Sequence, residues 1–305
     1  MAAPVAEVAA AADAAAVAAV ELPALSRGDR FGLGWRPELA AGILANLDEV
    51  DIVEIIAEDH FSASRSDLRA LRRLSAEVPV YWHGTSLGLA STVPVDPRRL
   101  DAFARLVEET GAAGWSEHLS FVRGGGIEIG HLAAPPRTAA SIDGACVNLA
   151  RAREVIGAAP AVENVATLIM PPASTMAEPE WVSGIVEEAE ANLLLDLHNL
   201  YANAVNFGEE PLAYLRRFPL DRVTSVHLAG GRWIGAPDGP QRLLDDHLHD
   251  VPPPVFELLT ELGRLASQPL DVVIERDGRY PPFPLLLAQL QEARQALAAG
   301  RSKRQ

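Results

Sequence analysis

The chain has 305 residues, 49% of them hydrophobic, a formal net charge of −15 and one cysteine. Such an acidic chain lacks the basic face that general nucleic-acid binding requires, and it makes an anionic membrane surface an unsuitable partner. The lone Cys146 excludes an internal disulfide framework and fits a reducing cytoplasm, and no run of about 20 unbroken apolar residues marks a membrane span.

Residues 1–27 are Ala-rich, carry Pro4, Glu7, Asp13 and Glu21, and show no basic leader before an apolar core. They are expected to form a poorly ordered tail rather than a secretory signal. From residue 28 to 298 the pattern is that of one domain. Eight short apolar runs occupy 31–35, 51–58, 78–83, 114–120, 159–164, 192–199, 223–230 and 270–277. Helix candidates lie between them: 37–48, opened by Pro37; 64–77, with Leu68, Leu71 and Leu74 at helical spacing; 97–110, between Asp96 and Gly111; then 141–156, 178–189, 210–218, 252–266 and 284–297. The basic end, 299–305, is expected to be a solvated tail.

Strand and helix alternate eight times, which predicts a parallel sheet with helical crossovers. The runs are nearly continuous in apolar residues, as strands buried on both faces are. The length fits the roughly 250 residues of a (β/α)8 barrel. An open doubly wound sheet is the runner-up, but no GxGxxG follows the first run. Gly124–Gly126 reads as a turn, and the insert 231–250, rich in Gly, Pro and charge, as a lid or substrate-binding loop.

Seven of the eight runs end in residue types that bind metals: Glu58 and His60; His83; Glu117 and His118; Glu163 and Asn164; Asp196, His198 and Asn199; His227; Glu275. In a barrel these ends converge on the C-terminal mouth. Each residue has a plain alternative, a core histidine bonded to backbone or a surface ion pair. Seven such accidents at one edge are a poor explanation of the set. Alternation would place Asp196 and His198 on one face of a strand, so that both reach one ion. Several buried carboxylates raise one another's pKa unless positive charge is near, and Arg232 and Arg276 are few for that task. Imidazole with carboxylate and no thiolate suits iron, manganese or zinc at open positions, and the number of donors suits two or three ions, with Glu117 as a possible bridge. In the run 245–250 the expectation is that Asp246 or His247 stands over the mouth. Asn203 and Asn206 are candidates to contact substrate or orient ligands, and Arg232 to lie beside them.

The stretches EIIAEDHF (54–61), HGTSLG (83–88), SEHL (116–119), Glu163-Asn164, LDLHNLY (195–201) with AVN (204–206), HLAG (227–230), DDHLH (245–249) and IERD (274–277) together resemble the DUF692 family of multinuclear non-haem iron-dependent oxidases. The resemblance spans about residues 31–298. It implies a xylose-isomerase-like TIM barrel with two or three irons, in mixed ferrous and ferric states, at its mouth. It also implies O2-dependent modification of a ribosomally made precursor peptide, at cysteine, with a partner protein that delivers the peptide. By position, His83, Glu117, Glu163 or Asn164, Asp196, His198, His227 and Glu275 fall in the family's ligand-bearing motifs, and Glu58 competes with His60 at the second run. The rival readings are a divalent-metal isomerase or endonuclease on a similar barrel, and a non-catalytic metal-binding protein.

Overall fold

Eight parallel strands hydrogen-bond in a closed ring in the computed structural model, which describes residues 28–235 and 239–304. The expected N-terminal tail lies outside the described residues. In chain order the elements are β1 (Arg30–Gly34), α1 (Ala40–Ala45), β2 (Ile52–Ile56), α2 (Arg65–Glu77), β3 (Val80–Gly84), α3 (Pro97–Thr110), β4 (Gly114–His118), β5 (Phe121–Gly124), β6 (Ile127–Ala133), α4 (Ala139–Ile156) and β7 (Ala161–Glu163). There follow α5 (Glu178–Glu188), β8 (Asn192–Asp196), α6 (Leu197–Phe207), α7 (Pro211–Leu215), β9 (Val223–Leu228), β10 (Gly231–Ile234), β11 (Arg242–Asp245), α8 (Pro253–Leu265), β12 (Asp271–Ile274) and α9 (Phe283–Ser302). The ring runs β1-β12-β9-β8-β7-β4-β3-β2, and its closure is the β1–β12 pair, with Phe31 opposite Val272. This is the (β/α)8 architecture that the alternation predicts.

Two residues per repeat decide which side chains build the barrel wall and which face its axis. Outward positions such as Val53, Ile55, Val80, Trp82, Leu193 and Leu195 are fully buried under the helices. The helices begin and stop where local chemistry demands it. Asp96 accepts the Arg98 backbone N–H at 3.0 Å to start α3, and Gly111, at φ +66°, ends it in the left-handed conformation. Ser64 and Asp67 form a reciprocal capping box on α2.

Three features depart from expectation. First, β8 stops at Asp196 and α6 begins at once, so His198 is helical and does not share a strand face with Asp196. Second, two antiparallel hairpins stand on the C-terminal side: β5–β6, turned by Gly125 and Gly126 at φ +57° and +81°, and β10–β11 within the 231–250 insert. Third, α9 continues to Ser302, and Arg301 is no solvated tail residue. Its guanidinium donates to Asp29 at 2.7 Å, to the Gln268 carbonyl at 2.6 Å and to the Ala266 carbonyl. Among the described residues no helix is long and apolar enough to cross a membrane.

Candidate metal centre

Inward positions of seven strands carry Glu54, in the middle of β2, and, at or next to the C-terminal ends of the others, His83, His118, Glu163, Asp196, His227 and Glu275, all of them buried. Their donor atoms form three groups in which every atom lies within 4.8 Å of the others: Glu54, His83 and His227; His83, His118 and Glu163; Glu163, Asp196, His227 and Glu275. His83, Glu163 and His227 each belong to two groups, so the three are contiguous. Ligands on opposite sides of an ion with bonds of ~2.1 Å lie about 4.2 Å apart, so this spacing fits coordination.

Outer partners fix how each ring is turned. His83 places Nδ1 2.8 Å from the Ser116 hydroxyl and Nε2 3.4 Å from a Glu163 oxygen. His118 donates from Nδ1 to the Gly84 carbonyl at 2.9 Å, leaving Nε2 3.2 Å from the same Glu163 oxygen. Histidines that bind metal are oriented in this way, one nitrogen held by the protein and the other presented. His227 directs Nε2 to Glu54 at 2.9 Å and Nδ1 between Glu275, at 3.1 Å, and Glu163, at 3.3 Å. Asp196 caps α6 with one oxygen, 2.6 Å from the Asn199 N–H, and leaves the other free.

Buried atoms without a hydrogen-bond partner include Glu163 Oε2, Asp196 Oδ2, His227 Nδ1 and His247 Nε2. An unsatisfied buried polar atom costs about 1–3 kcal/mol. These four stand on or beside the donor groups and are imidazole nitrogens and carboxylate oxygens, the donor types of a catalytic metal, so the residues fit such a cation; others, such as Ser86 and Ser120 Oγ and Asn199 Oδ1, lie outside the donor set. The electrostatics agree. Burial opposes charge on His118, but Glu163 and Glu117 outweigh it and push the ring up to about 10. Burial likewise disfavours the Glu163 carboxylate, yet His118, His227 and His83 hold it below its ordinary range. Asp196 goes the other way: burial, then Asp245 and Glu163, raise it well above normal. A cation among these oxygens would remove that penalty.

The remaining sequence candidates are placed differently. Glu117 points outward, because Ser116 and His118 take the inward positions of β4. Its oxygens accept the Leu87 and His118 backbone N–H groups at 3.0 and 2.9 Å, so it pins the loop after β3 and does not bridge the donor groups. Glu58 and His60 lie in a 3-10 turn after β2 that carries them over the outer layer. Glu58 accepts the Thr85 N–H at 2.9 Å, with its carboxyl pushed up by burial and by Glu117, and His60 packs edge-on against outward-facing Trp82 with ring centroids 5.4 Å apart. Asn164 clips β8 by bonding the Asp196 N–H at 2.9 Å and carbonyl at 3.1 Å. Asn199 donates to the Asn164 carbonyl at 3.0 Å, Asn203 braces the loop after β7 through Val165 and Thr167, and Asn206 holds β11 through both Leu243 backbone groups.

The β10–β11 hairpin leans over the donors. Asp245 lies between His198 Nδ1, at 2.6 Å, and His247 Nε2, at 3.1 Å; His247 Nδ1 is 3.4 Å from Glu275 and 3.3 Å from Asp277. His247, at φ +52°, is therefore the residue of this segment that reaches the donors. Asp246 turns away to Arg232, at 3.2 Å, and His249, at 2.9 Å. His198 sits behind Asp245, its Nε2 so near Gly231 that a Cβ there would come within 3.0 Å. Glu54 and Asp245 are the residues that strand-end reasoning missed. A carboxylate in the middle of the apolar run Ile52–Ile56, two residues from Ile52 and Ile56 on the axis-facing side, was the available signal for Glu54.

Above the donors opens a groove of about 620 Å3, reaching from His118 and His247 to Phe121, Leu132, Leu168 and Leu243. Its walls are the two hairpins and the loop after β7, and exposed Ile127, Ile129, Ile169, Met170 and Trp233 project from the same three segments.

Comparison with known proteins agrees with this picture. The sequence profile described as RiPP precursor modification enzyme MbnB/TglH/ChrH matches residues 30–298. A UPF0276 protein of Streptomyces avermitilis is 37% identical over 261 residues, 82% of this chain, and the chain spans about half (51%) of that relative's length. A UPF0276 protein of Anaeromyxobacter sp. (strain Fw109-5) is 33% identical over 268 residues, covering 88% of this chain and 93% of the relative. Among solved structures, an L-ribulose 3-epimerase (TM-score 0.56, 15% identity, 90% and 96% of the two chains) and a xylose isomerase domain protein from Planctomyces limnophilus (TM-score 0.51, 17% identity, 91% and 98%) share the fold. The barrel is thus xylose-isomerase-like, and the chain belongs to the MbnB/TglH/ChrH family of RiPP precursor modification enzymes.

Proposed function

We propose that this chain is a multinuclear iron enzyme that uses O2 to modify a ribosomally made precursor peptide at a cysteine, with a partner protein presenting the peptide. The observation that carries the reading is the set of three contiguous donor groups at the floor of a largely apolar groove. Glu54, His83, His118, Glu163, Asp196, His227 and Glu275 would hold the ions, with His247 closing over them from the β10–β11 hairpin. Bound iron would supply one-electron and dioxygen chemistry, which no side chain provides.

The chain's own contribution is placement. Ser116 and the Gly84 carbonyl keep the His83 and His118 rings turned toward Glu163. Asn164 fixes the end of β8, and with it the free Asp196 oxygen. The groove walls exclude water from a peptide segment and seat its apolar side chains beside the donors. The test is anaerobic reconstitution with Fe(II), addition of short peptides encoded by neighbouring genes with any co-encoded partner, then O2. A mass change in one peptide that needs both iron and O2 is expected. Turnover under anaerobic conditions with Mn(II) or Zn(II) would overturn the reading, as would unaltered peptides in every iron-loaded reaction.

A further inference from the structure

A barrel of this type normally fills its axis with layers of branched side chains. Beneath the donors this chain keeps some branched residues, Ile52, Leu194 and Val273, but sets small ones beside them: Gly114 and Ser116 on β4, Ala161 on β7 and Ser225 on β9. They leave a second cavity of about 340 Å3 inside the barrel. Toward the N-terminal edge its lining meets solvent, since Asn192 is exposed and Tyr81, Ala161 and Ser225 are half-buried. At the other end stand Glu54 and Ser116, 4% and 3% exposed. Glu54 is itself a donor, at His227 Nε2 (2.9 Å), and Ser116 holds His83 Nδ1 (2.8 Å) from behind. The cavity is thus placed as a shaft would be, between the N-terminal edge, where Arg30 donates to Tyr81 and Asp271 at 2.7 and 2.6 Å, and the underside of the donor cluster. Its wall carries carboxylates and hydroxyls beside apolar Ile52, Leu194 and Val273, and at ~30 Å3 per water the volume has room for on the order of ten.

We propose that this shaft is a second entrance, carrying water and other small neutral molecules between the N-terminal face and the donor cluster. A peptide in the groove covers the C-terminal approach, so exchange from below continues while substrate is seated. That last role rests on the proposed function; the entrance itself does not.

Cysteine accessibility tests it in a Cys146→Ser background with methyl methanethiosulfonate as the probe, read by mass spectrometry. Val273, 4% exposed, lines the shaft, whereas Leu195, 0% exposed, faces the helices. Val273→Cys is expected to react at least about tenfold faster than Leu195→Cys, since thiols packed in an apolar layer are inert. Zn(II) loading should leave the Val273→Cys rate unchanged, and Ser225→Leu at the lower opening should slow it about tenfold; Ser225→Val serves if the leucine variant fails to fold by circular dichroism. Protection of Val273→Cys equal to that of Leu195→Cys, indifference to the Ser225 plug, or slowing by zinc, which would mean entry through the mouth, each overturns the shaft. Zinc uptake is measured separately by equilibrium dialysis. Its absence would count against the metal centre, while the plug and the cysteine pair still decide the shaft.

Discussion

Glu163 joins two of the three donor groups, as His83 and His227 also do. One of its oxygens faces His83 and His118 and the other faces His227. Glu163→Gln keeps the shape and removes the charge. It should lower bound metal by more than one equivalent and weaken the remainder at least about 10–100-fold, the range already seen for outer-shell changes, measured by elemental analysis after anaerobic loading. Loss of one ion with the others unaffected would mean that the groups are independent. At this scale the sequence was legible where a side chain's position in its strand also fixed its direction, as at His83, Glu163, His227 and Glu275. It misled at Glu117 and His118, adjacent residues at one strand end. Being at the mouth did not say which of the two faced the axis. Strict alternation from Ser116 would have chosen His118.

Among the elements, the junction of β8 with α6 shows a side chain with two duties. Asp196 caps the helix and presents a free oxygen to the donors. Asparagine caps about as well as aspartate, and alanine costs about 0.5–2 kcal/mol. Asp196→Asn should therefore unfold at nearly the wild-type urea midpoint in metal-free protein yet bind less metal, whereas Asp196→Ala should lose both. Equal metal content in Asp196→Asn and wild type would remove Asp196 from the ligand set. At the other end of the chain, Arg301→Ala should cost about 1–3 kcal/mol, because a charged donor to Asp29 and to two carbonyls is lost; an unchanged urea midpoint would show the contacts to be idle. Helices whose ends carry Ser, Asp, Pro or Gly signals were readable to within a few residues. The α6 start was not, because a strand-like run of three leucines flows straight into Asp-Leu-His-Asn and the cap residue also presents an oxygen to the donor cluster. The hairpins escaped for the opposite reason: β6 is exposed along most of its length, so no alternation marks it.

For the whole molecule, the acidic surface and the acidic interior are separate matters. The surface charge governs solubility and partners. The interior gathers four carboxylates, Glu54, Glu163, Asp196 and Glu275, around three histidines, an arrangement that a cation stabilises. A ligand that binds the folded state at 100 times its Kd adds about 2.7 kcal/mol. Metal-loaded protein should accordingly melt several degrees above chelator-treated protein, by scanning calorimetry in either direction of exchange. Identical transitions would mean that the donors already satisfy one another.

The ring closes between its first strand and its last. The donors are drawn from Glu54 in β2 to Glu275 just after β12, with no two neighbouring groups supplied by one local segment. A growing polypeptide has the donors of one group, His83, His118 and Glu163, once β7 is made, but the closed ring that brings all three groups together waits for β12. A cation that binds here would meet a closed barrel rather than template its folding, unlike one in a short finger motif. Its supply would then be a matter of traffic to a mature protein rather than of assistance to a nascent one.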